Sequence, residues 1–128
     1  MSSQHPARPR ILLADDDATL RRALTTCLHR AGYAVTAVAD GEEAIVLFGR
    51  GSFDLVVSDM RMPGRTGDDV LAAVRKSSPD VPVLLMSGDG DVAQAVDAIR
   101  RGAEDFLLKP FDISAFQARV ARALDGRK

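Results

Sequence analysis

Phe53-Asp54-Leu55-Val56-Val57-Ser58-Asp59-Met60-Arg61-Met62-Pro63-Gly64 is an apolar, β-branched run that stops at a carboxylate and then meets a Pro-Gly turn signal. A run without polar alternation predicts a strand over residues 53–58, buried on both faces of a sheet. Asp59 falls at the C-terminal end of that strand, where Pro63-Gly64 takes the chain away. Open α/β sheets hold their ligands at this rim. The reading of the chain therefore turns on what other strands bring to Asp59.

Upstream, Arg10-Ile11-Leu12-Leu13-Ala14 is a second unbroken apolar run, and it ends in Asp15-Asp16-Asp17. Leu20, Leu24 and Leu28, flanked by Ala23, Cys27 and Ala31, form a helical stripe that Gly32 stops. Residues 33–38 are strand-like but less uniformly apolar, which predicts an edge position. Asp40 and Glu43 have the spacing of a capping box before a second helix.

Downstream, a third helix is expected over residues 67–76, with Val70, Ala73 and Val74 inward. Residues 81–86 read as a strand, with Pro82 near its start, running into the loop Ser87-Gly88-Asp89-Gly90. Asp91 and Gln94 have cap spacing for a fourth helix, whose Val92, Ala95, Val96 and Ile99 share one face. Phe106-Leu107-Leu108 reads as a fifth strand ending at Lys109-Pro110. Asp112 opens a last helix with Phe116, Val120, Ala123 and Leu124 inward.

Strand and helix alternate to the end, which predicts a parallel sheet with helices on both faces. Right-handed crossovers bring every strand's C-terminal end to one rim. The 128 residues suit one domain, expected over residues 10–125, with tails at 1–9 and 126–128. A net charge of −1 does not favour a nucleic-acid or anionic-membrane surface. One cysteine rules out an intramolecular disulfide, and two histidines with it fall short of an ordinary zinc site. The polar start lacks the apolar block of a signal peptide, and no run is long enough to span a bilayer. The expected compartment is the cytoplasm.

Four strand ends carry chemistry: Asp15 and Asp16, then Asp59, Ser87 and Lys109. Neighbouring carboxylates repel unless a cation or a proton joins them. Oxygen ligands suit a hard ion such as Mg²⁺, which keeps several waters. Asp59 could then attack phosphorus as a carboxylate nucleophile. Lys109 and the ion would offset charge on the transferring oxygens, and the Ser87 hydroxyl could donate to one of them. Each piece has a plainer reading: an Asp run as an N-cap, a Ser in turn chemistry, a solvated Lys. Their joint placement on separate strand ends favours the site.

With Leu13-Ala14-Asp15-Asp16-Asp17, Val57-Ser58-Asp59-Met60-Arg61-Met62-Pro63-Gly64, Met86-Ser87-Gly88 and Phe106-Leu107-Leu108-Lys109-Pro110-Phe111 together, the chain resembles the receiver domains of two-component response regulators over residues 10–124. The resemblance implies a flavodoxin-like (βα)5 doubly wound sandwich with strand order 2-1-3-4-5. It implies Asp59 as phosphoacceptor, and Mg²⁺ held by Asp15, Asp16, Asp59 and the backbone carbonyl of Arg61. Lys109 would contact the phosphoryl group, while Ser87 and the aromatic Phe106 would move on phosphorylation.

The implied partners are a sensor histidine kinase or phosphotransfer protein, a phosphorylation-dependent second copy and an output domain outside this chain. The fourth helix, fifth strand and last helix would form the responding face. Direct nucleic-acid or membrane binding is not expected. The output would be transcriptional regulation, and the domain would be a switch with self-phosphorylation and autodephosphorylation chemistry rather than an enzyme. A further expectation pairs Arg61 with Asp89 over the site. Two other classes compete: an aspartate-nucleophile phosphatase, disfavoured by Arg61 where a general acid is usual, and a receiver-like interaction module that is never phosphorylated.

Overall fold

Apolar residues succeed one another without a break in the inner strands because both faces of the sheet are covered. In the computed structural model, which describes residues 8–88 and 92–126, β1 (Arg10–Ala14), β2 (Ala34–Val38), β3 (Leu55–Asp59), β4 (Val83–Ser87) and β5 (Asp105–Leu108) form one sheet. All neighbours are parallel and the order is β2-β1-β3-β4-β5. The helices are α1 (Ala18–Arg30), α2 (Gly41–Arg50), α3 (Gly67–Ser77), α4 (Val92–Arg100) and α5 (Ile113–Gly126).

Side chains alternate along each strand. Ile11 and Leu13 of β1, with Leu55 and Val57 of β3, therefore pack with Leu24 and Leu28 of α1 and with Phe116 and Val120 of α5. Leu12, Ala14 and Val56 face the other way, onto Ala44 and Phe48 of α2 and Val70, Leu71 and Val74 of α3. Two cores thus share one sheet, and β3, at its centre, is buried along its whole length. β2 lies at an edge, as its mixed composition predicts.

Strand and helix limits shift slightly from the expectations. β3 includes Asp59 itself, and β4 includes Ser87. Pro9 accepts a hydrogen bond from Ala34 N at 2.9 Å, so the paired chain begins one residue early. Cys27 is buried as expected, but Ala23 and Ala31 are exposed, because the α1 contact is a stripe narrower than the apolar pattern. Leu71 is buried on α3, and Ala73 only half-buried.

The larger departure is α4. Val92, Val96 and Ile99 share a face, but it points outward, at 78%, 43% and 47% exposure. Only Ala98 is buried in this helix. The small side chain meets the core and the large ones do not, so the apolar stripe is not the anchoring one. Asp89, Gly90 and Asp91 lie outside the described residues, and with them the expected Asp89–Arg61 pair and Asp91 cap.

Candidate functional site

The three aspartates after β1 divide their work. Asp17 is the N-cap of α1, accepting from Thr19 N at 3.0 Å and Leu20 N at 3.2 Å. This satisfies donors that an α-helix otherwise leaves open. Asp15 is fully buried and accepts from Asp17 N at 2.9 Å through Oδ1. Asp16 is exposed at the rim.

Asp59 ends β3 one strand away, 6% exposed. The loop behind it is held tightly. Gly64 takes the left-handed conformation (φ 76°) after Pro63, and Gly67 N donates to Met60 O at 3.0 Å. Thr66 and Asp69 form a complete capping box at the start of α3. Sequence reading missed this box, although the Thr-x-x-Asp spacing was present.

Lys109 leaves β5 and reaches both acids. Its Nζ lies 3.1 Å from Asp59 Oδ2 and 3.2 Å from Asp15 Oδ2. Backbone pairing fixes where it starts, since Lys109 N donates to Ser87 O at 2.8 Å. Ser87 ends β4 beside β3 and is 1% exposed. Phe106 is half-buried and packs on the core that contains Val56 and Leu85.

The carboxylates of Asp15, Asp16 and Asp59 each offer an oxygen within 4.8 Å of the others. Burial raises the Asp59 pKa; Lys109 pulls it back, Asp15 raises it further, and the Arg61 backbone N–H bond lowers it, with a net upward shift. Burial works against the Lys109 charge, yet Asp15 and Asp59 outweigh it and its pKa rises. Lys109 therefore remains an ammonium between two carboxylates.

One ammonium against three carboxylates leaves the cluster two negative charges in excess. The donors are hard oxygens. This set fits a small divalent cation with few protein ligands, and it fits no soft metal. A cleft of about 520 Å³ opens beside it, lined by Asp17, Leu20, Lys109, Pro110 and Phe111 among others.

The structure thus brings Asp15, Asp16, Asp59 and Lys109 together, with Ser87 at the adjacent strand end. Phe106 stands behind the site on the α4 side, where it lines a groove with Ala95, Val96 and Ile99. Arg61 has an exposed side chain, and its backbone N–H bonds the Asp59 carboxylate.

A doubly wound sheet with an acid triad and a lysine at one rim defines a class of signalling domain, and comparison with known proteins agrees. Residues 11–121 match the response regulator receiver domain. The chain is 43% identical over 113 residues to the response regulator protein FleR of Pseudomonas aeruginosa, spanning 88% of this chain and 24% of that protein. It is 38% identical over 117 residues to the probable transcriptional regulator ycf27 of Guillardia theta, spanning 91% of this chain and 46% of that protein. The receiver domain of the Francisella response regulator 1452 superposes with a TM-score of 0.89 at 30% identity, covering 94% of this chain and all of that one.

The chain belongs to the response regulator receiver domain family. It is a two-component signalling switch by membership, and it spans less than half the length of the curated relatives just described. No helix among the described residues is long and apolar enough to cross a membrane.

Proposed function

We propose that this domain accepts a phosphoryl group on Asp59 from a histidine kinase, a phosphotransfer protein or a small phosphodonor. The observation that carries the reading is Lys109 Nζ within 3.2 Å of both Asp15 and Asp59, with Asp16 completing the acid cluster. An Asp59 oxygen forms a bond to phosphorus while the bond from phosphorus to the donor's leaving atom breaks, and the leaving group departs with that electron pair. Asp15, Asp16, Asp59 and the Arg61 backbone carbonyl would hold Mg²⁺. The ion, when bound, supplies positive charge to the phosphoryl oxygens.

Lys109 stands ready to pair with a phosphoryl oxygen, since it already bridges the two acids that such an oxygen would crowd. Ser87, at the next strand end, donates its hydroxyl to another oxygen and moves inward with it. Phe106 follows on the α4 side. The face of α4, β5 and α5 then changes its affinity for a second copy or for an output domain outside this chain. The output is transcriptional control in the cytoplasm. The domain is a switch whose product is a conformation, not an enzyme with a released product.

Incubation with acetyl phosphate, with and without a chelator, tests the reading. The label is expected only with Mg²⁺, and hydroxylamine should release it, as for an acyl phosphate. A label formed equally well in the chelator, or resistant to hydroxylamine, overturns the proposal.

A further inference from the structure

Arg21 is the one cation of α1 that turns back onto the acidic rim among the described residues. Its Nη1 donates to the Asp15 carbonyl at 2.8 Å, six residues upstream. Its own backbone N–H bonds Asp17 O at 2.8 Å, and its carbonyl accepts from Thr25 Oγ1 at 2.7 Å. The side chain is thus mounted on a well-bonded first turn of the helix. Arg22, beside it in sequence, is exposed.

The carbonyl it grips belongs to the peptide that joins Asp15 to Asp16. Asp15 is already fixed on every other side. Its N–H bonds Val38 O at 3.1 Å, Oδ1 takes the Asp17 N–H, and Oδ2 takes Lys109. Asp16 is different. It is exposed, and no side-chain bond among the described residues fixes its carboxylate. Its direction depends on the peptide before it, which one guanidinium clamps.

We infer that Arg21 is a positioning residue for the cation site: by holding the Asp15 carbonyl it sets the 15–16 peptide and so aims the Asp16 carboxylate at Asp59. This rests on the proposed function, in which Asp16 holds Mg²⁺. A residue that orients a metal ligand through a hydrogen bond changes affinity by about tenfold or more when removed.

The sign of the effect separates this role from plain charge. Arg21 is a cation near a cation site, so its charge alone weakens Mg²⁺ binding. Removing that charge would tighten binding, by less than about threefold at physiological salt, where screening acts over roughly 8 Å. Loss of positioning acts the other way.

Calorimetric titration with Mg²⁺ decides, using Arg21→Met, Arg21→Lys and Arg22→Met. Methionine keeps much of the half-buried side chain's length, and each variant's metal-free unfolding midpoint reports its folding. Arg21→Met is expected to bind Mg²⁺ about tenfold more weakly, Arg21→Lys to recover part of that loss, and Arg22→Met to bind as the parent or slightly tighter. An Arg21→Met protein that unfolds earlier but binds Mg²⁺ unchanged or tighter overturns the inference. A parent protein that takes up no Mg²⁺ overturns the proposed site instead, and this inference with it.

Discussion

Gly67, the first residue of α3, lies so near the end of β3 that a Cβ built on it would stand 2.6 Å from the Asp59 carbonyl oxygen and 2.8 Å from Met60 Cα. Both neighbours are backbone, so neither can swing aside as a side chain would. The helix start and the residue that carries Asp59 are therefore in direct contact. Gly67→Ala is expected to push them apart, costing about 1–3 kcal/mol of stability by overpacking. It should also slow phosphorylation of Asp59. Thermal unfolding and the labelling rate with acetyl phosphate are the two measurements, and an alanine variant matching the parent in both would contradict the contact.

Asp59 weakens the fold in the absence of metal. Its pKa is raised, burial being the main cause, so the folded protein holds the proton more tightly than the unfolded chain does. The contribution is most favourable below the unfolded pKa of about 3.9 and is lost as pH rises through the higher folded value. Asp59→Asn lacks that loss. Its metal-free unfolding midpoint should match the parent's below the unfolded pKa of about 3.9 and exceed it by a margin that grows as pH rises through the higher folded value, then levels off. A margin that shrinks with rising pH would reverse the assigned sign.

Lys109 has the opposite role. Its pKa is raised by Asp15 and Asp59 against the effect of burial, so its stabilising charge is present at neutral pH and is lost only as pH climbs above its usual value of about 10.4. Lys109→Met leaves a fully buried Asp15 without its ammonium, which should cost about 3–5 kcal/mol without metal. Mg²⁺ should bind this variant more tightly, since a competing cation is gone. Labelling should nevertheless slow by roughly a hundredfold, because the ammonium proposed to meet the phosphoryl oxygen is missing. Weaker Mg²⁺ binding in Lys109→Met would count against the shared carboxylates.

The α4 helix should be the least protected of the five. It buries Ala98 alone, whereas α1 buries Leu24, Cys27 and Leu28. Backbone amides of α4 should exchange hydrogen faster than those of α1. Ile99→Ser should change stability by less than about 1 kcal/mol, against about 2–5 kcal/mol for Leu24→Ala. The phosphorylation-dependent self-association proposed for this face, followed by sedimentation, should be lost in the Ile99 variant while labelling is retained.

Much of this was legible in the chain because the inner strands are covered on both sides. Ile11 to Ala14 and Leu55 to Val57 could be read as buried strands with no alternation to blur them, and each ended at an acid. The alternation of elements then placed Asp15, Asp16, Asp59, Ser87 and Lys109 on one rim. The aspartate run was harder, since cap and ligand readings compete at such a run. The structure divides them by position, Asp17 capping and Asp15 facing Lys109.

What stayed hidden depends on distance and direction rather than pattern. Val92, Val96 and Ile99 have helical spacing, but nothing local says which side of α4 meets the sheet. The bond from Arg21 to Asp15 needs a fold before it can be seen. So does Arg75, whose stem fills the space beside Gly102 at the α4–β5 turn while its Nε and Nη2 are buried without a hydrogen bond among the described residues.

Every proposed step depends on Asp59 receiving the phosphoryl group at a cation-assisted acid cluster. Intact-protein mass after incubation with Mg²⁺ and acetyl phosphate, for the parent and Asp59→Asn side by side, tests it most directly. The parent should gain the mass of one phosphoryl group and the asparagine variant none. An equal gain in both proteins, or no gain in the parent, would contradict it.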